Sequence, residues 1–199
     1  MKQAKSQRHD TLQEEVVSVS RVVKVVKGGR RFSFRALVVV GDRKGSVGIG
    51  LGKANEVSDA KAKAAHSARS NMVRVQLRDG RTLHHIIESK SGATKVLMRP
   101  AQHGAGVIAG PSLRAFLEVL GVKDVVSKCI GSTNPFTVLL AAKKALLQSR
   151  SPRAIAAARG ISASYIFRNR TDYGRLPQEE NDNNSAPSEA VEAETKASE

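Results

Sequence analysis

The sequence predicts an α+β chain of two small units, a β-β-β-α unit followed by a second α+β unit. Three observations predict it. Short runs dense in Val, Ile and Phe, bounded by Gly, Asp and Lys, crowd the first third of the chain and read as strands. A stripe of small residues at helical spacing follows them. Further along, helix starts and stops are written as Pro just inside one end and Gly just past the other.

Residues 1–14 are polar and are expected to form a mobile arm, so the first unit is placed at 15–79. Its strands are VVSVSRVVKVV, RFSFRALVVVGD and GSVGIGLGK. The segment Gly41-Asp42-Arg43-Lys44-Gly45 reads as a tight hairpin turn whose two glycines accept positive φ. Lys27-Gly28-Gly29-Arg30-Arg31 reads as a longer basic loop between the first two strands. The third strand alternates Val47, Ile49 and Leu51 with Ser46, Gly48, Gly50 and Gly52, so one face is nearly bare and something approaches it closely. Either the following helix or RNA could fill that role. The helix is expected over residues 56–74, with Ala60, Ala64, Ala68 and Met72 on one stripe and Lys61, Lys63, Arg69 and Arg74 off it.

The second unit is placed at 80–170. It opens with strands over 82–88 and 94–99, split by a turn at Ser89-Lys90-Ser91-Gly92. A glycine-rich stretch then leads into a helix starting at Pro111 and stopping at Gly121, with Leu113, Phe116, Leu117 and Leu120 on its buried face. A strand is expected over 122–130. Asn134 as cap with Pro135 behind it starts the next helix, with Phe136, Leu139, Leu140, Ala142 and Leu146 as core candidates. Ser151-Pro152 starts a last helix and Gly160 stops it. Residues 171–199 have the composition of a disordered acidic tail.

Charge narrows the function. The 199 residues carry a formal net charge of +15. Residues 178–199 hold seven acidic side chains and one lysine, so that segment is −6 and the remainder +21. So basic a body repels itself unless a polyanion lies against it. The longest apolar stretches are far too short to span a bilayer, and the first residues lack the apolar core of a secretory signal. One cysteine, Cys129, allows no internal disulfide and suits a reducing cytosol. A cytoplasmic protein with an acidic partner is expected.

Five cations, Lys24, Lys27, Arg30, Arg31 and Arg35, flank Gly28-Gly29. Close cations on a backbone without side-chain bulk suit successive phosphates, because each neutralised phosphate releases counterions. The plainer reading is a solvated turn whose lysines blunt a sheet edge. Gly131-Ser132-Thr133-Asn134-Pro135 precedes a helix and offers either an anion-binding N-terminus or ordinary capping by Thr133 or Asn134. The stretch 104–110 spaces its glycines GxGxxxG with no Lys-Ser or Lys-Thr pair behind it, so close strand–helix packing is preferred to a nucleotide loop. His84 and His85, on a strand, would point to opposite faces and could not grip one metal. No catalytic residue, metal site or cofactor is called for. Five Phe, two Tyr and no Trp are too few for stacking platforms, so folded or duplex RNA read by shape and phosphate is the expected ligand.

The stretch VKGGRRFSFRALVVVGDRKGSVGIGLGKANEV, with Met72-Val73, IAGPSLRAFLEVLGVKDV and GSTNPFTV in the same order, resembles the bacterial-type small-subunit ribosomal protein S-five family over roughly residues 12–165. The resemblance implies a double-stranded-RNA-binding-like first domain. It implies a second domain whose fold is shared with some small-molecule kinases and other translation proteins. It further implies binding to small-subunit ribosomal RNA near the decoding region and the messenger entry path, contact with ribosomal proteins S-four and S-eight, and an influence on translational accuracy. The loop matching 24–31 would reach towards the head–body junction, where spectinomycin acts. The RNA-facing set is then Lys24, Lys27, Gly28, Gly29, Arg30, Arg31, Arg35, Lys53, Asn55, Arg69, Arg74, Gly131, Ser132, Thr133 and Asn134, with Arg114 near the S-four interface. Ile49 and Leu51 stand where relatives often carry aromatics, Arg43-Lys44 makes the hairpin tip unusually basic, and the acidic tail has no counterpart in the family core. Two other readings are an RNA binder of the same fold acting off the ribosome and a small-molecule kinase built on the second unit.

Overall fold

Ala36-Leu37-Val38-Val39-Val40 shows no polar alternation, and a strand without a polar face must be covered on both sides. The computed structural model describes residues 12–162, 165 and 166, and covers this stretch on both faces. The first sheet has the order β1 (Gln13–Val26), β2 (Gly29–Gly41), β3 (Ser46–Ala54) and β4 (Val73–Arg74), all antiparallel. Ala36, Val38 and Val40 pack against helix α1 (Val57–Ser70). Leu37 and Val39 turn the other way, into a core shared with helix α2 (Pro111–Leu120) of the second unit. Of the expected arm, residues 1–11 lie outside the described residues, as does the tail at 171–199. Gln13 and Glu14 belong to β1, because β2 runs on to Gly41 and offers them partners.

Helix α1 is what fills the bare face of β3. A Cβ on Gly48, Gly50 or Gly52 would stand 2.0, 2.0 or 2.1 Å from the carbonyl oxygens of Ala68, Ala64 and Ala60. Glycine on the strand and alanine on the helix together set the distance between the two layers. The helix stops at Ser70, not at 74. The Asn71 amide takes the Ser67 and Ala68 carbonyls, and Val73 and Arg74 leave to pair with Val47 and Ser46. Met72 at helical spacing extended the expected helix past this break.

Two expected loops are tighter than their composition suggested. The β1–β2 ladder closes at Val26 opposite Gly29, so only Lys27 and Gly28 form the turn, with Gly28 at φ +88°. Arg30 and Arg31 are therefore strand residues. In the β2–β3 turn the positive φ falls on Arg43 (+52°) and Gly45 (+98°), not on Gly41. The Arg43 and Gly45 amides donate to the Val119 and Leu120 carbonyls at 3.1 and 3.0 Å. This turn thus caps the end of α2 and joins the two units backbone to backbone.

The second sheet has the order β5 (Ile87–Ser91), β6 (Thr94–Pro100), β8 (Val125–Gly131) and β7 (Val107–Ile108), with β7 parallel to β8 and the rest antiparallel. Helices α2, α3 (Pro135–Gln148) and α4 (Pro152–Arg159) start at the expected Pro and cap positions, and α2 and α4 stop at the expected Gly121 and Gly160. The strand expected over 82–88 is shifted. Thr82 exchanges backbone bonds with Arg78, and its hydroxyl donates to the Asp124 carbonyl at 2.6 Å, so these groups are unavailable to a sheet. The hairpin turn accordingly moves to Gly92-Ala93, and His84 and His85 precede β5. The strand expected from 122 starts at Val125, because the Lys123 and Asp124 amides go to the Arg81 carbonyl.

Asp124 organises this corner. It is 2% exposed, its carboxylate accepts from Arg81 Nε, and its Oδ1 takes the Gly104 and Gly106 amides at 3.0 and 3.1 Å. Burial alone would raise its pKa. The Arg81 side-chain bond, then the Gly106 amide, the Arg81 charge and the Gly104 amide outweigh that and hold it below the usual carboxylate range.

Two outcomes follow from these contacts. Gly50→Ala should destabilise the chain by about 3 kcal/mol in urea unfolding, because the backbone carbonyl opposite cannot yield, while Gly29→Ala should change stability by less than ~0.5 kcal/mol. The Asp124 contribution is complete above the unfolded carboxylate pKa of about 3.9 and is lost as pH falls through the lower folded value. Asp124→Asn should cost roughly 3 kcal/mol at pH 7 and flatten the acid limb of a stability–pH curve.

Candidate nucleic-acid interface

Beyond Phe34 and Arg35 the β1–β2 pair leaves the body of the protein and continues as a two-stranded finger. Directly opposed residues of an antiparallel pair share a face. On the face continuous with Leu37, Lys24 stands opposite Arg31, Val22 opposite Ser33, and Ser20 opposite Arg35, which in turn faces Lys53 on β3. Four of the expected cations therefore form one row, and Asn55 lies exposed just beyond its β3 end. At the tip, no atom lies within 4 Å of a Cβ position on Gly28 or Gly29, so the backbone beside Lys27 is open to a bulky ligand.

The other face of the finger has a different character. Arg30 lies there opposite Val25, and the Arg21 guanidinium sits 3.6 Å from the centroid of the Phe32 ring. Val25 is 75% exposed and Phe32 44%. Sequence reasoning missed Arg21, and the alternation of Phe32 with Phe34 was the available signal. Phe34 on the same face packs against the α1 core.

The loop 131–134 is brought to the cationic row by α3. Arg35 Cζ lies 5.9 Å from the centroid of the Phe136 ring in the first turn of that helix. Asn134 is the cap: its Oδ1 accepts from the Phe136 amide at 3.3 Å, and its own amide donates to Ser132 Oγ at 3.4 Å. Gly131, at φ +89°, turns the chain so that the Ser132 amide reaches the Ala93 carbonyl. Thr133 and Asn134 stay exposed.

Three expected residues lie elsewhere. Arg69 is ion-paired with Glu14 on the edge strand. Arg74, on β4, stands beside the β2–β3 turn at the end of the sheet away from the finger tip. Arg114 is exposed on the outer side of α2. The glycine-rich stretch 104–110 has two of its amides filled by the Asp124 carboxylate, an anion supplied by the chain itself.

Two family models match the chain: Ribosomal protein S5, N-terminal domain, over residues 12–76, and Ribosomal protein S5, C-terminal domain, over residues 89–159. The chain belongs to the ribosomal protein S5 family. Small ribosomal subunit protein uS5 of Methylobacterium radiotolerans is 48% identical over 176 residues, 88% of this chain and 90% of that one. The uS5 of Ehrlichia ruminantium is 55% identical over 157 residues, 79% of this chain and 90% of that one. That of Anaplasma marginale (strain Florida) is 54% identical over 162 residues, covering 81% and 92%. All four motif stretches that carried the resemblance fall inside the segments matched by the family.

The two faces of the finger separate the effects of neighbouring arginines. Arg31→Ala should lower the salt slope of binding to a small-subunit ribosomal RNA fragment by roughly 1. Arg30→Ala, on the apolar face, should lower it less. Filter-binding titrations between low and physiological salt measure both slopes.

Proposed function

We propose that the chain clamps folded small-subunit ribosomal RNA by shape and phosphate contacts, with the Lys24–Arg31–Arg35–Lys53 face of the finger and the loop 131–134 on adjoining RNA segments. As a member of its family it is a structural, non-enzymatic constituent of the small ribosomal subunit. The observation that carries the RNA reading is the like-charge pairing across the sheet, Lys24 opposite Arg31 and Arg35 opposite Lys53. Like charges directly opposed weaken a sheet, so the free protein carries a cost that a row of phosphates relieves. The scarcity of aromatic residues supports readout of backbone and shape over base stacking.

In this reading the units at 15–79 and 80–170 act as one rigid clamp, because α2 and the β2–β3 turn hold them together. Arg114 faces the neighbour S-four. The outer face of the second sheet offers area for a protein neighbour such as S-eight: Ile108 and Ile130 are 53% and 50% exposed there, among Lys95, Arg99 and Lys128. Holding RNA near the decoding region and the messenger entry path is how such a clamp supports translational accuracy. A nucleotide-binding reading of the second unit has no support in stretch 104–110, where the Gly104 and Gly106 amides already meet Asp124.

Sedimentation of tagged protein through a sucrose gradient tests the assignment. The protein should stay with small subunits after a high-salt wash. Recovery as free protein at every salt concentration would move its action off the ribosome.

A further inference from the structure

A second cationic surface lies at the far end of the first sheet. A cleft of about 930 Å³ opens between the β2–β3 turn, the segment after β4 and the start of α4, and Arg43, Lys44, Arg74 and Arg153 line it. A smaller hollow beside it shares Arg74 and adds Arg150. All five side chains belong to exposed residues, and none makes an ion pair among the described residues. The acidic group in the wall is Asp79, which is engaged by Arg78. The tip of the finger is roughly 40 Å away along β2, at about 3.3 Å per residue, so this is not the surface described above.

The chain carries its own counterpart to this cleft. Residues 178–199 hold seven acidic side chains and one lysine. Helix α4 supplies Arg153 to the cleft and is 8 residues long, so its end lies within about 12 Å of that arginine. The 19 residues at 160–178 span up to roughly 60 Å when extended, and the 12 at 167–178 alone up to roughly 40 Å, ample for Glu179 and its neighbours to return. A tether of this length gives the acidic segment an effective concentration in the millimolar range. An anionic strand free in solution must match that by affinity alone.

We propose that the acidic segment 178–199 folds back onto the cleft lined by Arg43, Lys44, Arg74, Arg150 and Arg153, as an internal mimic of a polyanion. In the free protein it neutralises part of the cationic surface and screens it from unselected nucleic acid. The finger is left open. Contacts of this kind weaken within a Debye length of about 8 Å at physiological salt and are lost at high salt. The inference stands apart from the RNA reading, because it concerns the protein alone.

Amide correlation spectra of the labelled full chain test it. The comparison is a full chain carrying Glu179→Gln, Glu180→Gln, Asp182→Asn, Glu189→Gln, Glu192→Gln and Glu194→Gln, changes that lie outside every core element. The expected result is a set of shift differences at residues 43–45, 74–80, 150, 151 and 153, erased at 1 M salt and absent in an Arg43→Glu/Arg153→Glu background. A synthetic peptide of residues 178–199 added to the neutralised chain should reproduce them. Differences centred on residues 24–31, or none at low salt, would overturn the proposal. So would a cleft that shifts with a short RNA duplex but not with the acidic peptide, since that would make it an RNA face.

Discussion

The fold depends on the last third of β2 being buried on both faces. From Ala36 to Val40 the strand is at most 3% exposed, with α1 against one side and α2 against the other. Burial on one side requires the close approach of α1, which the glycines of β3 and the alanines of α1 permit. Burial on the other requires α2, an element of the second unit, so neither half of the chain completes its core alone. The β2–β3 turn secures this arrangement by donating its amides to the end of α2. Two sequence units thereby share one core.

The same strand has an opposite character at its other end. Where the helices no longer cover it, β2 and β1 continue as a ribbon, and the positions that were apolar become Arg35, Ser33 and Arg31 on one face. None of the three belongs to either core cluster. A two-stranded ribbon is marginal alone, and cations oppose each other within it at Lys24–Arg31 and at its base at Arg35–Lys53. Within a free protein this is a defect. In the proposed reading it is the face offered to the RNA, and the body behind it fixes where the ribbon points. Arg35 marks the change of role, touching the first turn of α3 while lying opposite Lys53.

Much of this was legible in the sequence, and the parts that were not share a cause. The caps at Asn134, Ser151, Gly121 and Gly160 act through local backbone bonding, so local residues announced them. The bare glycine face of β3 announced a close neighbour, and the alanine stripe made the following helix one of its two candidates. Boundaries set by distant partners were not readable. The end of α1 depends on β4 finding β3, the start of β8 on Arg81, and the shift from 82–88 to Ile87–Ser91 on Asp124, whose own hydrogen bonds reach 20 and 43 residues along the chain. In the candidate site, Lys24, Arg31 and Arg35 were singled out from local sequence, whereas Arg21 was missed. The division of the cations between two faces was not legible, because it depends on a two-residue turn that the Gly-Gly pair had suggested was a longer loop.

In the proposed function, the cations opposed across the sheet are retained against stability for the sake of a polyanion. The most direct measurement takes Lys24→Thr/Lys53→Thr, which removes one member of each pair and keeps good strand formers in place. Urea unfolding of the free protein and affinity for a small-subunit ribosomal RNA fragment are read on the same variant at low salt. Opposite signs are expected: stability rises by about 1 kcal/mol while the salt slope of RNA binding falls by about 2. A variant that is no more stable and binds RNA with an unchanged slope would contradict it.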